Sequence, residues 1–168
     1  IGGGGGTNMF IYTSPSFSGA TITAAYQNDG GAANVSNGSY TDFAIAFTPE
    51  MVEGLTLGFA SADHTIASAS SREQEETTMY ATYAMGGFTV GVQASDLDDT
   101  TAGSDQESIA YGVTYAVNDD LTIGYTEHTL ETESATDADQ ESSAIGASFT
   151  SGSMTIGGSM NTADNMSG

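Results

Sequence analysis

The pentapeptide Leu-Thr-Ile-Gly-Tyr at residues 121–125 decides the fold, because its pattern returns every 33 residues along the chain. The other copies are Ile-Thr-Ala-Ala-Tyr at 22–26, Leu-Thr-Leu-Gly-Phe at 55–59, Phe-Thr-Val-Gly-Val at 88–92 and Met-Thr-Ile-Gly-Gly at 154–158. Thr holds the second place in all five copies, and Gly or Ala holds the fourth. Apolar residues alternate with these small or polar ones. A period of two predicts extended strands with one apolar face.

The composition limits the classes of function. The chain has 168 residues, with Lys+Arg 1 against Asp+Glu 22, a formal net charge of −21 and no cysteine. This charge repels nucleic acids and anionic lipid headgroups. The absence of cysteine excludes disulfides and thiol catalysis. No apolar run approaches the roughly 20 residues of a membrane helix, so any membrane crossing would use strands.

Turn-forming residues divide the chain into about ten strands. Short turns, such as the one at Gly86-Gly87, alternate with long polar loops at 28–38, 63–76, 96–107 and 127–141, and 161–168 is predicted to be a loop. This alternation predicts an up-and-down antiparallel sheet with all short turns at one end. The predicted strands are 9–13, 21–26, 41–47, 55–62, 79–83, 88–95, 109–117, 121–126, 143–150 and 154–160.

The second face of each strand is nearly free of charge. Asp42 is the only acidic residue that we place inside a strand; the others fall on the two rims. A transmembrane β-barrel explains this distribution, since lipid accepts no charge and a modestly polar wall suffices around water. The aromatic residues also fall into two belts, as membrane interfaces favour. The alternative is a soluble sandwich with an aromatic core. One belt contains Phe47, Tyr83, Phe88, Tyr115 and Phe149, and the other Tyr40, Phe59, Tyr111 and Tyr125.

Four stretches, at 11–19, 82–91, 115–128 and 151–156, resemble the outer-membrane porins of alphaproteobacteria. The resemblance implies a homotrimer of sixteen-stranded barrels, each narrowed by a loop folded into the lumen. This chain departs from the family in offering about ten strands, no terminal aromatic residue and no recognisable constriction loop. We therefore expect residues 1–168 to form a single β-barrel domain. Either this domain is part of a longer chain, with Ile1 after the constriction loop and Gly168 before the closing strands, or the strand count differs from that of the family.

We expect a general diffusion porin of the bacterial outer membrane, which passes ions and small hydrophilic solutes passively and catalyses no reaction. No nucleophile elbow or phosphate-binding loop supports an enzyme. The acidic rims should favour cations in the lumen. The residues that we expect to line the pore are Thr23, Asp42, Thr56, Thr89, Gln93 and Thr122.

Metal and cofactor sites have little support. Asp96, Asp98 and Glu107 occupy positions one, three and twelve of a calcium loop, but Thr101 replaces the required glycine and strands flank the loop. We favour the interpretation that these acidic residues form a solvated rim. The alternative is that they bind calcium loosely. No other cofactor is expected. His64 and His128 should lie about 19 Å apart, too far to share a metal, and are interpreted as membrane-interface residues. The competing function is a secreted or surface structural or adhesive β-protein with calcium-binding loops.

Overall fold

The computed structural model describes residues 9–28, 38–66, 72–133 and 139–165. These residues form one antiparallel sheet of ten strands, each paired with the next along the chain. The described residues contain no helix that is long and apolar enough to cross a membrane. The strands are β1 (Met9–Thr13), β2 (Ala20–Gln27), β3 (Tyr40–Phe47), β4 (Leu55–Ile66), β5 (Arg72–Met85), β6 (Phe88–Asp99), β7 (Gln106–Ala116), β8 (Leu121–Thr132), β9 (Gln140–Ser151) and β10 (Met154–Asp164).

The sheet has two chemically different faces. Because side chains alternate along a strand, the first and second places of each repeat lie on opposite faces. We call the side that carries Leu121 and Ile123 the apolar face, and the side that carries Thr122 and Gly124 the polar face. We call the end of the sheet with the connections after β1, β3, β5, β7 and β9 the short-turn end, and the other the loop end.

The apolar face is exposed. Ile145 is 64% exposed and Met160 is 83% exposed, and the described residues supply no second layer to cover them. A sandwich core would bury these side chains, so the sandwich alternative is wrong. An exposed apolar sheet face is what a strand-built membrane surface requires.

The predicted aromatic belts lie on this face, with one exception. Phe88 and Tyr115 stack near the short turns with ring centroids 4.3 Å apart. Tyr111 and Tyr125 lie nearer the loop end. Tyr40 is wrongly assigned to the belt, because it lies on the polar face and is only 5% exposed.

The strands extend further into the acidic segments than the sequence predicts. The predicted loop at 63–76 is mostly strand, since β4 continues to Ile66 and β5 begins at Arg72. Many acidic residues therefore lie inside strands, and the prediction that only Asp42 does so is wrong. The predicted tail loop is also wrong for 161–164, which belongs to β10. Beyond the apolar band both faces meet water, so the alternation ends while the hydrogen-bonded ladder continues.

Glycine closes two of the short turns. Gly86 and Gly152 each have φ of +60° and each begins a two-residue turn. Positive φ at the first central position but not at the second, as found here, characterises the type II′ turn, which glycine begins without strain.

Candidate pore wall on the polar face

The six predicted pore-lining residues all lie on the polar face. Thr23, Thr56 and Thr89 occupy the second place of their repeat copies, as does Thr122, and Asp42 and Gln93 lie on neighbouring strands. The structure thus brings them to one wall. Their role in lining a pore stays a prediction.

Small side chains form the middle of this wall. A Cβ built at Gly112 would lie 3.1 Å from the Thr126 Cγ2, and one at Gly124 would lie 3.1 Å from the Thr114 Cγ2. Each threonine therefore leans over a glycine on the paired strand. This packing accounts for glycine at the fourth place of the copy at 121–125, and it leaves a wall of methyl and hydroxyl groups.

Four side chains with a formal charge at neutral pH lie on the polar face of the described strands: Asp42, Arg72, Glu76 and Asp99. Arg72 is the only lysine or arginine in the whole sequence. Its Nε lies 2.9 Å and 2.8 Å from the two Asp99 carboxylate oxygens, and its Nη2 also donates to Asp99. This ion pair neutralises the only lysine or arginine charge of the chain.

Asp99 also anchors the connection between β6 and β7. Its carboxylate accepts a hydrogen bond of 2.7 Å from Gln74 Nε2 and one of 2.8 Å from the Thr101 backbone N–H. The side chain has no exposed surface. The Arg72 guanidinium holds the pKa of this carboxyl, at the loop end beyond the apolar band, well below its usual range. The pair joins residues 27 positions apart, and no pattern in the sequence predicts it.

Asp42 and Glu76 are the two remaining charges on the polar face of the described strands. Both pair in register with Ala62, one from each side, so their Cα atoms are separated by two strand spacings, or about 10 Å. Asp42 accepts a 2.9 Å hydrogen bond from the Tyr40 hydroxyl. Glu76 lies in the predicted loop at 63–76. Extending the alternation of β5 back from Tyr80 would have placed it on the wall.

A small packed cluster surrounds these acids. Tyr40 packs with Ala25 and Ala62, which are almost fully buried. Its ring meets His64 edge to face, with centroids 6.0 Å apart and an interplanar angle of 76°. His64 and His128 both lie on the polar face, so their interpretation as membrane-interface residues is wrong. The two histidines pair with different residues on their neighbouring strands, so they do not lie at the same level of the sheet.

Tyr80 is the large aromatic side chain of the middle wall, and it is not among the residues that the sequence predicts to line the pore. It pairs with Gly58 on β4 and Gln93 on β6. A Cβ built at Gly58 would lie 2.8 Å or less from three atoms of the Tyr80 ring. The ring therefore lies directly over the glycine. Two signals in the sequence point to it: the glycine at the fourth repeat place and the alternation of Tyr80 with Thr78 and Thr82.

The weak calcium candidates lie on the opposite face of the sheet. Asp96 pairs directly with Glu107, which pairs on its other side with Glu131, while Asp98 pairs with Glu75. In the part of the chain that the structure describes, no group of three or more acidic or histidine side chains is arranged to hold a metal ion. Loose calcium binding stays a prediction.

Comparison with known proteins gives evidence about the family and the fold that is independent of the geometry above. A family model described as Gram-negative porin matches residues 1–166. A porin refined at 1.8 Å resolution matches with a TM-score of 0.72 and 16% identity over 93% of this chain and 55% of its own. OmpT, an in-vitro folded outer membrane protein of Vibrio cholerae, matches with a TM-score of 0.71 and 16% identity over 93% of this chain and 53% of its own. No curated protein sequence matches the chain. The chain spans little more than half the length of either structure, and its fold is that of outer-membrane β-barrels.

Proposed function

The chain belongs to the Gram-negative porin family, and we propose that it acts as a general diffusion porin of the bacterial outer membrane. Ions and small hydrophilic solutes would cross passively through a water-filled lumen bounded by the polar face. One observation carries this proposal. The apolar face of the sheet is exposed, while the central part of the polar face consists mainly of Thr, Gly and Ala. Such a wall offers water contact without a chemical centre, and we propose no catalytic activity.

We further propose that the lumen prefers cations. The Arg72 charge is neutralised by Asp99, so Asp42 and Glu76 set the net charge of the wall formed by the described strands. Two carboxylates on residues whose Cα atoms lie about 10 Å apart, within a low-dielectric wall, raise the local concentration of cations. The net charge of −21 for the whole chain acts in the same direction.

The assembly belongs to the same proposal. The resemblance of residues 82–91 and 115–128 to alphaproteobacterial porins supports that branch of the family, a barrel of sixteen strands and a homotrimer. A spanning sheet needs closed edges, because unpaired backbone groups are costly in lipid. Loosely bound calcium at the acidic rim is retained as a minor part of the proposal.

Planar bilayers test the proposed function. The protein purified in detergent should insert and conduct, and a KCl gradient should give a reversal potential that favours cations. The D42N/E76Q double variant should lower that preference. The E50Q/E53Q variant makes the same charge change in the exposed turn after β3 and should leave it unaltered. Absence of any conductance would contradict the porin proposal. A reversal potential that shows anion selectivity would contradict the proposed cation preference.

A further inference from the structure

Tyr80 presents an open aromatic face to the space above the polar wall. One face of its ring lies over Gly58, where no side chain competes for the position. The residue is nevertheless 36% exposed, so the other side of the ring is accessible. Glycine within a strand often marks a place where another group approaches the backbone closely. Here that group is the ring itself, held flat against the wall.

Two shallow depressions meet at Tyr80 and share Gln93 as a second common residue. The first has a volume of about 260 Å³ and a floor that includes Ala44, Ala46 and Ala60. The second has a volume of about 310 Å³. Its floor includes Gly91, Ala110 and Gly112, and its rim includes Thr82, Thr126 and His128. Each is a smooth apolar floor edged by hydrogen-bonding groups.

No charged side chain lies next to Tyr80 on the polar face of the described strands; Glu127, which also lines the second depression, lies on the apolar face. The neighbours of Tyr80 on the polar face are Thr78 and Thr82 along β5 and Gly58 and Gln93 across the strand pairs. The next carboxylate on β5 at this face is Glu76, four residues away and about 13 Å along the strand. A neutral solute with many hydroxyl groups fits this surface, because the threonine and glutamine side chains can both donate and accept hydrogen bonds.

We propose that Tyr80 and Gln93 form a sugar-binding subsite on the pore wall. The C–H face of a pyranose ring stacks on the open face of Tyr80, and its hydroxyl rim bonds with Gln93 and the adjacent threonines. The two depressions on either side of the ring give room for a second sugar unit. This inference rests on the proposed function and adds a solute class to it, since stacking favours ring sugars over other neutral solutes of similar size.

The test compares a ring sugar with an open-chain polyol in planar bilayers that contain the wild-type protein. Glucose should lower the KCl conductance along a saturable curve. Sorbitol, an open-chain polyol with the same number of carbons, should give only the proportional decrease expected from viscosity. Equal effects of the two solutes would overturn the proposal. This comparison needs no variant, so it stands even where a substitution fails to fold.

Two substitutions then assign the effect to the ring. Y80L removes the flat ring, and the glucose concentration at half-saturation should rise about fivefold. Y80F keeps the ring and should stay within about twofold of the wild type. An unchanged half-saturation in a conducting Y80L channel would overturn the assignment to Tyr80. Saturable block by tetramethylammonium, with none by glucose, would also overturn it and indicate a cation–π site.

Failure of the sugar subsite can be distinguished from failure of the proposed porin function. A channel that conducts KCl but shows no saturation with glucose contradicts only the sugar subsite. A protein that does not conduct contradicts the porin proposal itself.

Discussion

The Arg72 guanidinium lies against the Asp99 carboxylate on the polar face, between the start of β5 and the end of β6. The D99N substitution leaves the Arg72 charge without its counter-ion on the wall. We expect the cation-to-anion permeability ratio to fall roughly twofold, because one negative charge is lost and one positive charge is released. Reversal potentials in a KCl gradient measure the change.

Asp98 supplies the control for this variant. It is adjacent to Asp99 but lies on the apolar face, where it pairs with Glu75. D98N removes the same formal charge and should leave the permeability ratio within error of the wild type. An equal effect from both variants would show that the total charge, and not the ion pair, controls selectivity.

The pair should also persist in mild acid. Its hydrogen bonds lower the pKa of Asp99 in the folded protein, so the stability that it contributes is present above the ordinary carboxyl pKa of about 4. That contribution is lost only as the pH falls through the lowered value. The difference in reversal potential between wild type and D99N should therefore be the same at pH 7 and pH 5. A difference that vanishes at pH 5 would contradict this ion-pair geometry.

Gly58 is the position where a single methyl group should disturb the wall. In G58A the new Cβ overlaps the Tyr80 ring, which must swing towards the lumen. We expect a loss of about 1–3 kcal/mol in the free energy of unfolding and a smaller unitary conductance. Urea unfolding in detergent micelles and single-channel recording measure the two effects.

Gly157 is the matched control, because it holds the same fourth place in the last repeat copy. A Cβ built there meets only the Ala147 carbonyl oxygen, at an ordinary 3.6 Å. G157A should be neutral or slightly stabilising, since alanine restricts the unfolded chain. Equal losses from G58A and G157A would indicate that any residue larger than glycine is rejected at this place, whatever lies above it.

The sequence predicts the number of strands, their order and most of their faces. This succeeds because the period of two is strong wherever one face is apolar, as at Ile109, Tyr111 and Val113. The prediction of strands fails at the loop end. There both faces meet water, so the acidic residues of the strands show no alternation and resemble a loop in the sequence. Glu76, at this end, is therefore predicted as loop although it belongs to β5.

The contacts of the wall depend on register, which one sequence does not show. Tyr80 reaches Gly58 and Arg72 reaches Asp99 only because β5 pairs with β4 and β6 at particular offsets. Tyr40 lies at the height of the predicted belt along its strand but on the polar side of the sheet. Two neighbours that share a face with it, Asp42 and Ala44, already indicated the polar side.

The acidic row of Asp96, Glu107 and Glu131 should weaken the sheet at its loop end. These side chains lie directly opposite one another on three consecutive strands. Like charges in such pairs are destabilising, so E107Q should raise the free energy of unfolding by about 0.2–1 kcal/mol at low salt. Urea midpoints should show this gain shrinking at 1 M salt, where screening is strong. E50Q, at an exposed turn position, should leave the free energy of unfolding unchanged. An equal gain from E50Q would show that the total charge of the chain, and not the acidic row, causes the effect.

Val113 and Thr114 are adjacent on β7 but point to opposite faces, so a lysine at each position tests which face meets lipid. V113K places a charge within the apolar band between Val90 and Tyr125, and we expect it to destabilise the barrel by about 2–4 kcal/mol in bilayers. T114K places the same charge beside Thr89 and Gly124 on the polar wall, where water solvates it. It should cost little stability and should shift the reversal potential towards anions. Folding yield in lipid vesicles and reversal potentials measure both outcomes. A stable V113K channel beside an unfolded T114K protein would mean that the polar face, and not the apolar one, is turned towards the membrane.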